Sequence, residues 1–451
     1  MDATSEIGIA PGGLPFLGHA LQMLRRPLDF VASLRGQGDV VKIRVGAEWA
    51  YLVRHPDLVR QVLTDIFTFD KGGALFDKAK QIVGNGLSTC PASDHLRQRR
   101  LLQPAFSRER LENYAATMSE VTREMVDAWQ PGDIVDVHKA MGKLALSIAT
   151  QTLVSTSAVS ASQETLKDSI QVLLDGIYWR MIAPFELLQK IPTRHNREFA
   201  LAQQRMGAVV DQMAEEYRKS GVDRGDLLSA LLAARDTDGT TGMTNAEIRD
   251  QVLTLFLAGV ESNGAAMAWA FYLLGRHPEV ERQLHAEVDE VLGGRVPSFA
   301  DIPKLAVTHR IVQETLRLYP PIWMVSRRTT AAVKLGSCAI PAGAGILFSA
   351  YAMHHDPDLF DEPERFDPDR WLPERARSLP REAMLPFSSG KRKCIGEAFS
   401  VIEATIAVAT VARRFRLRSV RAGTIKGIPR VTLIPGPLPM RVEGRKPKTM
   451  A

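Results

Sequence analysis

The chain has 451 residues, 45% of them hydrophobic and 24% charged, with a formal net charge of +6. That composition excludes a disordered chain and provides for a large buried core, while the basic excess is too dilute for a nucleic-acid-binding protein. Three widely separated cysteines, Cys90, Cys338 and Cys394, argue against a disulfide framework and for a reducing compartment.

The N-terminal stretch MDATSEIGIAPGGLPFLGHA lacks the charged-then-apolar pattern of a secretory signal. No run of 18 apolar residues follows, so no membrane anchor is expected and the cytoplasm is the expected location. DVVKIRVGAEWAYLVRHP alternates apolar and polar residues around a glycine, which predicts a hairpin. From Pro91 to about Tyr319 the apolar period becomes helical. One helix there is long. Thr244 and Glu247 form a capping box, Gly275-Arg-His-Pro278 supplies the stop, and the residues between are apolar nearly all round. Beyond Pro320 come short strand-like pieces in AVKLGSCAIPAGAGILFSAYAM. A Pro/Asp-rich coil, a loop around Cys394, a helix from about Ile395 and short C-terminal strands follow. The fold class expected is mainly α with minor β, one large domain over residues 1–451.

The loop PFSSGKRKCIGEAFS poses the chemical question. A buried structural cysteine is the default for Cys394. A zinc ligand would need Cys or His neighbours, and none lies within ten residues. A nucleophile would need a base, which a distant segment of the chain could supply. The context favours a fourth reading. Gly390 permits a sharp turn, and Gly396 leaves room for a flat group against the backbone. The following helix points its N-terminus at the sulfur, stabilising a thiolate, and Arg392 can pair with an anion. A thiolate beside a flat anionic group suggests haem with a cysteine axial ligand.

Phe387-x-x-Gly390-x-Arg392-x-Cys394-x-Gly396 resembles the haem-thiolate loop of the cytochrome P-450 monooxygenases. Further stretches resemble that family in order along essentially the whole chain. Glu314-x-x-Arg317 matches its E-x-x-R, with both charges on one helical face. The resemblance implies that Arg365, in PERF, completes a buried triad with them. Taken alone, an E-x-x-R is more often a solvated ion pair. His95-x-x-x-Arg99 resembles the segment that binds the propionates of haem, and Arg327 and Arg392 match two further propionate positions; Arg328 rivals Arg327. Alone, His95 would read as a partly exposed surface histidine.

Ala258-Gly259-Val260-Glu261-Ser262 resembles the family's oxygen-activation groove, A-G-x-[DE]-T. An interior glycine costs about 1 kcal/mol against alanine, so Gly259 and Gly264 need a reason. Helix packing is one, and a local widening of the helix above the cofactor is another. Ser262 departs from the usual threonine, retaining the hydroxyl without the methyl that restricts its rotamer. Asn263 is a partial substitute. The resemblance implies haem b (iron protoporphyrin IX) ligated by Cys394, with Glu261 and Ser262 delivering protons.

It also implies oxygen insertion into a C–H bond of a hydrophobic small molecule. No dinucleotide motif such as GxGxxG follows, so a separate ferredoxin and ferredoxin reductase are the expected electron donors. Lys391, Arg392 and Lys393 are their expected docking cations, although KRK also reads as a solvated loop. Leu75, Phe76, Ala258, Ile322 and Met324 are the expected substrate pocket. Trp323 lies beside them, and Tyr178, Trp179, Met181 and Ile182 fall where the family has a mobile lid; each also reads as core. Motifs around DPDRWLPERA and IWMVSRR look most like bacterial members that oxidise cyclic sesquiterpenes. A fatty-acid or macrolide/polyketide hydroxylase is the alternative. A non-catalytic haem sensor is the more distant one, because it would not need Glu261 and Ser262.

Overall fold

The computed structural model describes residues 7–45, 48–153, 160–182, 191–380 and 382–445. Helices dominate, and the strands gather into small sheets. The largest sheet has five strands, ordered Val40–Val45, Glu48–Val53, Gly345–Phe348, Val325–Thr329 and Phe69–Asp70. The first two form the expected hairpin, with Val40 opposite Val53 and Val45 opposite Glu48. A three-stranded sheet of Ile134–Asp136, Pro439–Gly444 and Phe415–Ser419 closes the other end. Of the strand-like run after Pro320, the last piece differs. Ser349 caps a short helix, Ala350–His354, by accepting from the Ala352 N–H. A local hydroxyl cap thus outweighs the apolar alternation there.

The helix Asn245–Arg276 runs through the centre. Both hydrogen bonds of the Thr244/Glu247 capping box are made, and His277 ends the helix. It crosses the helix Val137–Leu153 closely: a Cβ on Gly264 would lie 2.9 Å from the Gly142 Cα. Gly264 is therefore a packing residue. Further along, Trp269 stacks on Tyr319 at 3.6 Å between ring centres, and its indole N–H donates to the Leu433 carbonyl. That bond ties the C-terminal hairpin Ile428–Pro429/Leu433–Ile434 against the centre of the molecule. The main core spreads around this helix, and two smaller apolar clusters pack on opposite faces of the five-stranded sheet, one on Tyr51, Val53, Ile346 and Phe348 and the other on Val41, Ile43 and Leu52. Among the described residues no helix is long and apolar enough to cross a membrane.

Candidate active site

The loop before the helix Glu397–Arg414 is shaped by its backbone. The Cys394 N–H donates to the Phe387 carbonyl at 2.9 Å and the Lys393 N–H to the Gly390 carbonyl at 3.1 Å. Gly390 has φ +70, and a Cβ there would lie 2.3 Å from the Leu63 carbonyl oxygen, so only glycine fits. Gly396 serves a different need. A Cβ on it would touch only Cys394 Sγ and Phe106, both at 3.9 Å, which leaves the flank of the sulfur open. Phe387 is half-buried against the main core. Cys394 itself is exposed, yet burial still pushes its thiol up, against the pull of the Gly396 N–H, Arg99 and Lys393. A sulfur both accessible and desolvated lies on the wall of an interior cleft.

Cations from four separate segments meet beside it. Arg327 is buried and falls to about 10, chiefly through burial and then through Arg392. His95 is buried, its Nδ1 has no partner, and burial with the neighbouring cations lowers it to about 3. Arg99 donates to the Lys393 carbonyl. Arg392 donates to the Cys90 carbonyl at 3.0 Å and to Asp70 Oδ1 at 2.6 Å, leaving its Nε unpaired. Lys71 lies in the same cluster, its ammonium 4.4 Å over the Phe76 ring, and burial depresses it strongly. The nearby carboxylate is Asp70, already taken by Arg392 and by the N–H groups of Lys71 and Ala92. Among the described residues, three arginines, a lysine and a histidine around one occupied carboxylate are short of negative charge. The two propionates of a haem would fit that deficit, and the unpartnered His95 and Arg392 nitrogens are groups they would satisfy.

Arg327 and Arg328 are separated by strand alternation: Arg327 faces this cluster, while Arg328 is exposed and donates to the Gly343 carbonyl. Arg392 is buried, so it belongs to the anion site rather than to a docking surface. Lys393 is tied to Glu397 at 2.5 Å, and Lys391 remains outside, near Phe67. Lys71 and Asp70 were not anticipated. They reach the site because Asp70 pairs with Arg328 across the sheet, a long-range register that no local pattern announces.

The central helix carries a second open face. It is buried almost throughout, yet Ala258 is exposed, and Leu255, Leu257, Gly259, Glu261 and Ser262 are half-buried. A Cβ on Gly259 would meet nothing within 4 Å, so this face looks onto open space. The anticipated widening is absent; the helix continues unbroken, and the Ser262 hydroxyl donates to the Ala258 carbonyl at 2.6 Å. Burial pushes the Glu261 carboxyl up, opposed by Thr432 and Arg430 of the C-terminal hairpin. Thr432 Oγ1 is buried without a partner in full hydrogen-bond geometry, so Thr432 acts on Glu261 by proximity. Asn263 does not substitute for a cleft hydroxyl. It points into the neighbouring helix and donates to Glu403 Oε2 at 2.5 Å.

Ser262→Thr is expected to raise product formed per NADPH consumed. The rise should reach about threefold at most, the weight of selecting one of three χ1 wells. A reconstituted turnover assay with peroxide quantified checks it, and an unchanged ratio counts against the role assigned to that rotamer.

Ile322 is exposed. Met324, expected in the pocket, is half-buried and packs on the N-terminal cluster around Phe30, Val31 and Leu34. Trp323 is buried and donates its indole N–H to the Arg430 carbonyl, which makes it a strut for the hairpin. Phe76 lies half-buried under Lys71. The side chains of Leu75, Tyr178, Trp179, Met181 and Ile182 lie outside the described residues.

Beneath the cleft, Arg317 grips Glu314 through two bonds, at 2.8 and 2.9 Å, with both side chains 0% exposed. Arg317 also donates to the carbonyls of His354, Pro363 and Arg365. Glu314 further accepts from the Asp367 N–H at 3.1 Å, the Trp371 indole at 2.9 Å and Arg370 Nε at 3.5 Å. The expectation for Arg365 is corrected here. Its side chain is exposed and bonds to Glu362, and only its carbonyl joins the network. The coil turns outward between Glu362 and Arg365, so the third cation comes from Arg370.

Comparison with known proteins follows this geometry. A family model described as Cytochrome P450 matches residues 10–440. The chain is 47% identical over 438 residues to cyclooctat-9-en-7-ol 5-monooxygenase of Streptomyces melanosporofaciens, covering 97% of this chain and 95% of that one. It is 41% identical over 445 residues to pentalenene oxygenase of Streptomyces avermitilis, covering 98% and 99%. Among solved structures, the haem domain of cytochrome P450DA superposes with a TM-score of 0.88 at 26% identity, covering 99% of this chain and all of that one.

Proposed function

Since the chain belongs to the cytochrome P450 family, we propose that it hydroxylates a cyclic terpenoid, a sesquiterpene in the narrowest form of the proposal. The chain is a haem monooxygenase. Haem b, when bound, supplies the oxygen-activating chemistry. Cys394 is the residue that would ligate its iron, and the open flank at Gly396 gives it room. Arg327, Arg392, His95, Arg99 and Lys71 would hold its carboxylates. Glu261 and Ser262 hold exchangeable protons on the open face of the central helix, and the raised Glu261 carboxyl keeps its proton closer to neutral pH than a solvated glutamate would.

The substrate class rests on the cleft face of the central helix. Leu255, Leu257, Ala258 and Gly259 are apolar, and no cation stands on that face to receive a substrate carboxylate. Such a wall positions a hydrocarbon by shape and excludes water. Two relatives carry names of enzymes acting on cyclooctat-9-en-7-ol and pentalenene, which supports a cyclic terpenoid, hydrocarbon or already hydroxylated. For electron supply we propose a ferredoxin and its reductase, in the cytoplasm. Lys391 beside the exposed Phe67 is the feature that supports docking near the cysteine loop.

The test is a spectral titration of ferric protein with a cyclic sesquiterpene, a hydroxylated cyclic terpenoid, a medium-chain fatty acid and a macrolide. A saturable high-spin shift with a terpenoid alone is expected. A shift with the fatty acid or macrolide alone discards the substrate class and leaves the haem site standing.

A further inference from the structure

The C-terminal hairpin Ile428–Pro429/Leu433–Ile434 is short, yet it is gripped from several sides. Trp269 donates its indole N–H to the Leu433 carbonyl and Trp323 donates its own to the Arg430 carbonyl, both at 3.0 Å. The Leu433 N–H donates to the Pro321 carbonyl at 2.9 Å, and the Ile425 N–H to the Tyr272 hydroxyl at 2.9 Å. Gly427 lets the incoming chain lie close: a Cβ there would be 2.6 Å from Leu433 Cδ1 and 3.6 Å from Trp269 Cζ2. A hairpin of this length is marginal by itself, and these bonds make it a fixed arm.

The arm presents one polar side chain to the interior. At its tip the Arg430 N–H donates to the Thr432 carbonyl at 3.0 Å, and Thr432 is 3% exposed. Its Oγ1 is buried without a partner, which is costly for a hydroxyl. The group it reaches is Glu261, half-buried on the open face of the central helix. Trp269 and Tyr272 anchor the arm to that same helix, about two and three turns beyond Glu261. The tip and the acid it meets are therefore fixed relative to one rigid element. The polar neighbours of Glu261 on the helix are engaged elsewhere, Ser262 with the Ala258 carbonyl and Asn263 with Glu403.

We propose that Thr432 is a positioning residue for proton delivery: once Glu261 has given up its proton, the Thr432 hydroxyl donates to the carboxylate and holds it at the hairpin until it is reprotonated. The proposal rests on the assignment of Glu261 to proton delivery.

A threonine suits the task because its hydroxyl donates to a carboxylate and accepts from a carboxylic acid, so it partners both forms. Burial favours the neutral acid and makes Glu261 reluctant to part with its proton. A donor aimed at the charged form opposes that, and brings release and recovery of the proton nearer to balance. Among the described residues, the charged groups that act on Glu261 are Arg430 at the same tip, which favours the carboxylate, and Asp175 of the helix Ser160–Ile182, which disfavours it. A substitution at Thr432 changes neither.

The experiment compares haem-loaded Thr432→Val, Thr432→Ser and Glu261→Gln with wild type. Infrared difference spectra across pH, with Glu261→Gln as the blank, follow the carbonyl stretch of the protonated Glu261 carboxyl. Thr432→Val keeps the shape and removes the donor, and should raise the proton affinity of Glu261 about tenfold, the weight of one hydrogen bond to a charged group. Thr432→Ser should restore the wild-type midpoint. Thr432→Val also removes an unpaired buried hydroxyl, so it should match or exceed the wild type in thermal stability, which keeps the shift distinct from misfolding. With the terpenoid selected by the spectral titration, the basic limb of product formed per NADPH consumed should move to higher pH in Thr432→Val, in step with the infrared midpoint. An unmoved midpoint in Thr432→Val overturns the proposal, and leaves Glu261 its role where Glu261→Gln is uncoupled. A Thr432→Ser variant that fails to restore the midpoint overturns it as well, since the methyl group and not the hydroxyl would then set the effect. Coupling in Glu261→Gln equal to wild type overturns the assignment on which the proposal rests, whatever the infrared midpoint does.

Discussion

Glu314→Gln is expected to cost about 3–5 kcal/mol of stability and to reduce haem retention. The carboxylate is the anion against which Arg317 is buried, and neither side chain is exposed. Gln keeps the shape but removes the charge, so the Arg317 guanidinium remains desolvated with only carbonyl oxygens around it. The Gln amide also turns an NH2 group toward one of the donors that Glu314 now satisfies: the Asp367 N–H, the Trp371 indole or Arg317 itself. Arg370→Ala should cost less, about 1–3 kcal/mol, because its contact with Glu314 is longer. Arg365→Ala should lie within about 0.5 kcal/mol of wild type, since its side chain forms only an exposed pair with Glu362. Urea unfolding midpoints at constant m-value give the order. An Arg365→Ala variant as damaged as Glu314→Gln would restore Arg365 to the network and contradict the geometry.

The contrast between Arg365 and Arg370 marks how far sequence carries. Glu314 and Arg317 lie on one helix, so i,i+3 spacing alone brings them together. The capping box that opens the central helix and the hairpin at Val40–Val53 are legible for the same reason, because each is decided within a few residues. Which arginine of the coil turns inward is decided by turns that respond to the surface beneath them. Lys71 and Asp70 arrive by pairing with a strand more than 250 residues away in the chain. Ser262 and Asn263 show the limit within a single helix. They are adjacent, yet one faces the cleft and the other the helix Glu397–Arg414, and only the packed structure fixes the rotation of the central helix. The contact of Met324 with an N-terminal cluster is hidden on similar grounds, since no local pattern announces that cluster.

A second large effect is expected from Glu403, in a pH dependence that Glu403→Gln removes. This carboxyl is buried in the helix Glu397–Arg414; one oxygen accepts from Asn263 and the other has no partner. Burial pushes it up to about 8, with Asn263 opposing the shift. An unfolded chain releases this proton near the ordinary glutamate value of about 4.3. Below that value both states hold the proton, and above about 8 both have lost it. Between these limits the folded state retains a proton that the unfolded state has shed, so stability falls as pH rises across that window. The slope for one proton is about 1.4 kcal/mol per pH unit, which makes the whole effect several kcal/mol. Gln is neutral at every pH and can still accept from Asn263. Glu403→Gln should therefore track the wild type near pH 4.5 and become progressively more stable than it toward pH 8. Urea unfolding of both haem-loaded proteins at intervals across this range measures the difference, in which the contributions of all other titrating groups cancel. Parallel curves would mean that Glu403 ionises in the folded protein as readily as in the unfolded chain, which requires a cation or waters at its second oxygen. A difference that grows with pH establishes a neutral acid between the central helix and the helix that follows Cys394.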